Sequence, residues 1–140
     1  MEKIINKLVK KYSSSDPFFI ARELGILVLF EDLGAVKGYY NKQKRQKFIH
    51  INNRLNEAQA RFTAAHELGH ALLHPGESAP FLRENTFFST SRLESEANTF
   101  ALRLLCFGLE EDISHCSLST LSALLGVQEK MLSKYSDLLR

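Results

Sequence analysis

The pentapeptide His66-Glu67-Leu68-Gly69-His70 constrains this chain more than any other stretch. In a helix each residue turns ~100°, so residues four apart lie ~40° apart on one face and one turn apart in height. Two imidazoles placed that way reach one metal ion at ~2.0–2.1 Å, and catalytic zinc accepts such donors while keeping a position for water. The pentapeptide is therefore read as helical. Glu67 points ~100° further round than His66, too far to join the same pair as a ligand. It is placed instead to deprotonate a water, because bound zinc lowers the pKa of water to ~7 and a carboxylate base then suffices. A buried histidine pair on an ordinary helix has the same spacing, so the pattern calls for a third ligand.

Leu93-Glu94-Ser95-Glu96-Ala97-Asn98-Thr99-Phe100-Ala101 supplies two carboxylates on a later helical stretch. Its apolar stripe runs through positions 93, 97, 100, 101 and 104. Glu94 lies within ~60° of that stripe, whereas Glu96 is ~100° from Ala97 and faces away. A carboxylate on the core side is costly without a cation beside it. Glu94 is thus the expected ligand and Glu96 the alternative. Asn98, one turn on, is positioned to hydrogen-bond a ligand histidine. His74 falls four residues after His70; as a fourth ligand it would close the water position, so it is read as a cleft residue or a helix-end contact. Tyr39, Tyr40, His50, His74 and His115 remain candidates for stabilising an oxyanion.

The remainder of the chain builds a frame for this helix. Ile4, Ile5, Leu8, Val9 and Tyr12 share a helical face. Asp16-Pro17 opens a short helix that stops at Gly25. Ile26 to Phe30, Gly38 to Tyr40 and Phe48 to Ile51 read as strands, the last two joined as a hairpin around a loop with four cations. Asn53 or Asn56 caps the long helix, which runs to about His74 and ends at Pro75-Gly76. Residues 75–91 read as a surface loop pinned by Phe81, Phe87 and Phe88. Helices are then expected over 92–107, from Ser117 or Ser119 to Gly126, and over 127–138. The fold class is α+β: a small antiparallel three-stranded sheet packed with helices. The 140 residues make one domain, 1–140, with the helix pair 117–140 inside it.

A net charge of +2 is too small to make nucleic acid or a membrane surface the main partner. The last helix carries three cations, Lys130, Lys134 and Arg140, against two acids, which is a weak footprint for DNA. No apolar run approaches a membrane span or a secretory signal, so the expected location is the cytoplasm. Cys106 and Cys116 lack metal-knuckle or redox spacing and are expected as reduced thiols.

The stretch from Arg61 to His74, with the HExxH pattern at its centre, resembles the signature helix of the ImmA/IrrE family of metallopeptidases. The stretch Glu94 to Leu105 resembles that family's second motif, and the Asp16-Pro17, Gly38-Tyr39 and Ile51-Asn52 steps resemble its N-terminal part. The residues Leu121 to Leu139 resemble its terminal helix pair. The pattern is also similar to that of the gluzincins, HExxH followed by ExxA and Asp or Asn. One departure is Cys106-Phe107, where the family often has Met-Pro. The resemblance implies a minimal zincin-like fold and a zinc endopeptidase. It implies His66, His70 and Glu94 as ligands, Glu67 as the base and Asn98 as a support. It implies as substrate an Xre-type helix-turn-helix repressor of a phage, mobile element or stress regulon. The competing reading is a metal-bound regulatory module that grips a repressor without cutting it; an intact Glu67 argues against it, since binding alone needs no base.

Overall fold

The structure is a computed structural model that describes residues 1–74, 87–109 and 113–139. Helix α1 (Glu2–Tyr12) buries Ile5, and Glu2 Oε1 meets Arg103 Nη1 at 2.7 Å. Helix α2 (Pro17–Glu23) starts as its sequence requires: the Asp16 side chain accepts from the Phe18 amide at 3.0 Å, with Pro17 at the first helical position.

Strands β1 (Leu27–Glu31), β2 (Gly38–Gln43) and β3 (Gln46–Asn52) form one sheet in the order β1-β3-β2. The α+β class and the three strands agree with the sequence reading, but the sheet is mixed. β2 and β3 form the expected antiparallel hairpin, whereas β1 runs parallel to β3 rather than antiparallel. The reason lies in the link between β1 and β2, which passes the end of β3 so that β3 inserts between them. Asn52, only 5% exposed, ties that link in place. Its side-chain amide donates to the carbonyls of Gly34 and Val36, both at 2.9 Å, and its backbone N–H donates to Lys37 at 2.8 Å. β1 becomes an edge strand, and Leu27 and Phe30 stay half exposed despite the apolar run.

The inner face of the sheet, with Tyr40, Ile49 and Ile51 fully buried, packs on helix α3 (Glu57–Leu73). Asn56 caps α3 in a reciprocal box: its side chain accepts from the Gln59 amide at 2.8 Å, and Gln59 Oε1 accepts from the Asn56 amide at 3.0 Å. The core face of α3 is built of small residues, Ala60, Ala64, Ala65 and Ala71, around Leu68. Helix α4 (Phe87–Phe107) lies against it. The contact is closest at Gly69, where a Cβ would stand 3.1–3.3 Å from Phe100 and Ala97. α4 begins five residues earlier than its apolar period suggests, so residues 87–91 are helix rather than loop. The rest of the expected loop, residues 75–86 with Phe81, lies outside the described residues.

Helix α5 (Leu118–Leu125) is capped by Ser117, whose Oγ accepts from the Thr120 amide at 3.1 Å, and ends at Gly126 in the left-handed region, φ 73°. Helix α6 (Glu129–Lys134) is shorter than the expected 127–138. Tyr135 leaves helical geometry, and Ser136–Leu139 tightens into a 3₁₀ turn. One core cluster takes residues from Ile5 through Leu132. No helix among the described residues is long and apolar enough to cross a membrane. Cys106 and Cys116 are free and half-buried.

Candidate metal centre

The facing of α3 and α4 brings three donors together. His70 Nε2 lies 2.7 Å from Glu94 Oε1, and His66 Nε2 lies 3.1 Å from Glu94 Oε2. One donor atom from each of the three can be chosen so that all lie within 4.8 Å of one another. The His70 side chain is 1% exposed, that of His66 12% and that of Glu94 32%. Two imidazoles and one carboxylate, so clustered and largely shielded from water, suit a zinc-type divalent ion. The spacing argument had brought out this trio, and the fold assembles it from sites up to 28 residues apart.

Electrostatics bind the trio to itself. Burial pushes the Glu94 carboxyl up, but hydrogen bonds and charge from His66 and His70 outweigh it and hold the group well below the usual carboxylate range. Burial lowers His66 as well, yet the hydrogen bond to Glu94, the charges of Glu67 and Glu94, and Asn98 beside it leave its pKa raised. The lowered pKa keeps Glu94 anionic, whereas the raised pKa of His66 means that a metal ion must displace a proton from it.

Glu67 is 3% exposed, and its Oε2 lies 3.8 Å from His66 Nε2. It shares a cleft of about 450 Å³ with His66, Glu94 and Asn98. Val36 and Lys37 from the β1–β2 link, Phe62 from α3, Val127 from the α5–α6 turn and Met131 from α6 line the walls. Asn98 faces both ways: it favours the charged form of His66, and its amide nitrogen donates to the Tyr135 hydroxyl at 3.2 Å.

The other candidates take different places. Glu96 points away from the trio and meets His74 Nε2 at 3.2 Å. His74 sits behind His70, with the two Nδ1 atoms 3.4 Å apart. Tyr40 is buried in the core. Tyr39 stacks on His50 with ring centroids 4.2 Å apart, and His50 bridges Glu31 at 2.5 Å and Asn41 at 2.7 Å on the outer face of the sheet. His115 lies in the 3₁₀ turn Ile113–His115. None of these lines the cleft. The sequence reading missed Tyr135 as a partner of Asn98. A lone tyrosine in an amphipathic stripe carries no signal beyond its contribution to the core.

A family model for the IrrE N-terminal-like domain, a peptidase family, matches residues 21–106, more than half of the chain. The chain belongs to the ImmA/IrrE family of metallopeptidases. The matched segment runs from α2 through almost all of α4 and so contains the whole trio and Glu67. The chain is 45% identical over 102 residues to the uncharacterized immunity region protein 2 of Bacillus phage phi105, covering 72% of this chain and 65% of that protein. It is 32% identical over 110 residues to the metallopeptidase ImmA of Bacillus subtilis (strain 168), covering 72% of this chain and 60% of that protein. The chain thus spans less than two thirds of the length of either relative. The segment from Gly126 to Tyr135 lies beyond the matched residues, yet it supplies a wall of the cleft and the partner of Asn98.

Proposed function

We propose that the chain is a zinc-dependent endopeptidase that cuts a helix-turn-helix repressor of the Xre type. The observation that carries this reading is Glu67. A carboxylate that is 3% exposed, outside the donor trio yet lining its cleft and within 3.8 Å of one of its histidines, stands where a base for an attacking water is needed.

His66, His70 and Glu94 would hold the ion. When bound, the ion supplies Lewis acidity, which acidifies water and polarises a carbonyl. Glu67 takes one proton from the attacking water and delivers it to the amine that leaves as the C–N bond breaks. Asn98 favours the charged form of His66 and donates to the Tyr135 hydroxyl, which ties the C-terminal segment to the site. The apolar walls, Val36, Phe62, Val127 and Met131, exclude water and seat substrate side chains.

We take residues 1–140 to act as one unit, because the helix pair 117–140 forms part of the cleft. The phage relative named for an immunity region supports a protein substrate, and the repressor is what the family resemblance implies. Such a substrate places the activity in the cytoplasm.

The test is Glu67→Gln beside the native protein, assayed for bound zinc and for cleavage of a helix-turn-helix repressor of the Xre type. Loss of an acid–base catalyst costs about 10²–10⁴ in rate. Zinc retained and cleavage lost by about that factor is the expected result. Undiminished cleavage by Glu67→Gln sinks the mechanism. A native protein that binds zinc and the repressor but leaves the repressor whole favours the regulatory module.

A further inference from the structure

Behind the donor trio runs a line of side chains that zinc ligation leaves unused. His70 directs Nε2 to Glu94 and the opposite ring nitrogen, Nδ1, toward His74 Nδ1 at 3.4 Å. His74 Nε2 reaches Glu96 Oε2 at 3.2 Å, and Glu96 Oε1 stands 3.5 Å from Arg92 Nε. The line starts in the core and ends at solvent: the side chains of His70, His74 and Glu96 are 1%, 7% and 39% exposed.

We infer that His74 and Glu96 form a positioning relay that fixes the ring and tautomer of His70 as a metal ligand. The inference rests on the metal-site reading above. Proton counting gives the relay one direction. A histidine that offers the Nε2 lone pair to a metal carries its proton on Nδ1. His70 Nδ1–H then donates, so His74 must accept at Nδ1 and hold its own proton on Nε2. His74 Nε2–H donates to the Glu96 carboxylate, whose other oxygen faces the Arg92 cation. Every group in the line has a matching partner in this arrangement. The opposite tautomer of His74 would set two N–H groups against each other at His70. Such outer partners orient ligand histidines and raise their basicity, and their loss typically costs 10–100-fold in metal affinity.

This also explains why two carboxylates two residues apart on α4 have separate roles. Glu94 faces the imidazole Nε2 atoms, and Glu96 faces the far side of the same histidine row. His74 then needs no place in the donor set, and the position for water stays open.

The test uses the full chain as native protein, His74→Ala and His74→Asn. Zinc affinity is measured by competition with a chromophoric chelator, and histidine tautomers are read from long-range ¹H–¹⁵N spectra of the zinc-loaded native protein. An Asn Oδ1 stands close to where His Nδ1 stood and can accept from His70. The expected results are a loss of about tenfold or more in His74→Ala, recovery of most of that loss in His74→Asn, and His74 protonated on Nε2 in the spectrum. Melting of the metal-free variants shows whether the fold is kept, and a purely structural role for His74 would not produce the Asn rescue. Equal zinc affinity in native protein and His74→Ala, or a proton on His74 Nδ1 in the zinc form, overturns the relay alone. A native protein that takes up no zinc overturns the relay together with the metal-site reading.

Discussion

His70 Nε2 and Glu94 Oε1 face each other at 2.7 Å across the contact between α3 and α4. With His66 at 3.1 Å from the other carboxylate oxygen, the donor trio doubles as an ion-pair cluster when no cation separates its members. Stability and metal binding therefore draw on the same atoms, and pH should set them against each other.

Glu94 has a folded pKa below its unfolded value. Its contribution is present above an unfolded pKa of ~4.3 and is lost as pH falls through the folded value. His66 has a folded pKa above its unfolded value. Its contribution is present below an unfolded pKa of ~6.5 and is lost as pH rises through the folded value. The metal-free protein should then be most stable between about pH 4.5 and 6.5. Melting in the presence of a chelator checks this. The melting temperature should fall on the alkaline side, and zinc should restore it there by binding the native state. A metal-free melting temperature that climbs steadily from pH 5.5 to pH 8 would contradict the assignment.

The two carboxylates of α4 should separate cleanly in metal content. Elemental analysis of purified His66→Ala and Glu94→Ala should find little zinc, because each removes one of three protein donors. Glu96→Ala should keep most of it when zinc is in excess, since Glu96 is no donor and acts on the trio only through His74, at a cost in affinity of about tenfold. Zinc kept in Glu94→Ala and lost in Glu96→Ala would exchange the two roles.

Gly126 packs the turn between α5 and α6 against α3. Its φ of 73° lies in the left-handed region, and a Cβ there would stand 2.3 Å from the backbone of Ala58. Left-handed backbone costs roughly 1–2 kcal/mol for a residue with a Cβ, before any clash is counted. Gly126→Ala should destabilise the protein by about 2 kcal/mol or more in urea unfolding. Because Gly126 and Val127 line the cleft, KM should rise as well. A substitution that leaves both unchanged would show that this turn does not hold the cleft wall.

The site was more legible in the sequence than the sheet. His66, Glu67 and His70 follow from helical spacing, and Glu94 follows from the apolar stripe around it; both are local patterns on single helices. Asp16, Asn56, Ser117 and Gly126 mark helix ends by capping chemistry that acts over three or four residues. The parallel pairing of β1 with β3 is a different kind of fact. Strand direction depends on where the β1–β2 link crosses, and that is set by one asparagine bonding to carbonyls 16 and 18 residues away. The pairing of His74 with Glu96, 22 residues apart, and of Asn98 with Tyr135, 37 residues apart, likewise depends on how helices meet.

Asn52 offers the sharpest test of that long-range control. Its side-chain amide donates to the carbonyls of Gly34 and Val36 in part-buried bonds, and its side-chain oxygen accepts from the Arg54 amide at 3.1 Å. Each hydrogen bond contributes about 1 kcal/mol net, and three are lost together. Asn52→Ala should therefore cost about 2–3 kcal/mol in denaturant unfolding. Asn52→Asp should cost at least as much, because it turns a carboxylate oxygen toward the same carbonyls. Val36 and Lys37, which the link carries into the cleft wall, would lose their anchor while His66, His70 and Glu94 stay on their helices. The expected signature is a raised KM for the proposed substrate with zinc affinity within about threefold of native, since the substitution leaves every donor and its partners in place. Zinc affinity falling together with stability would mean that the β1–β2 link holds the metal site itself.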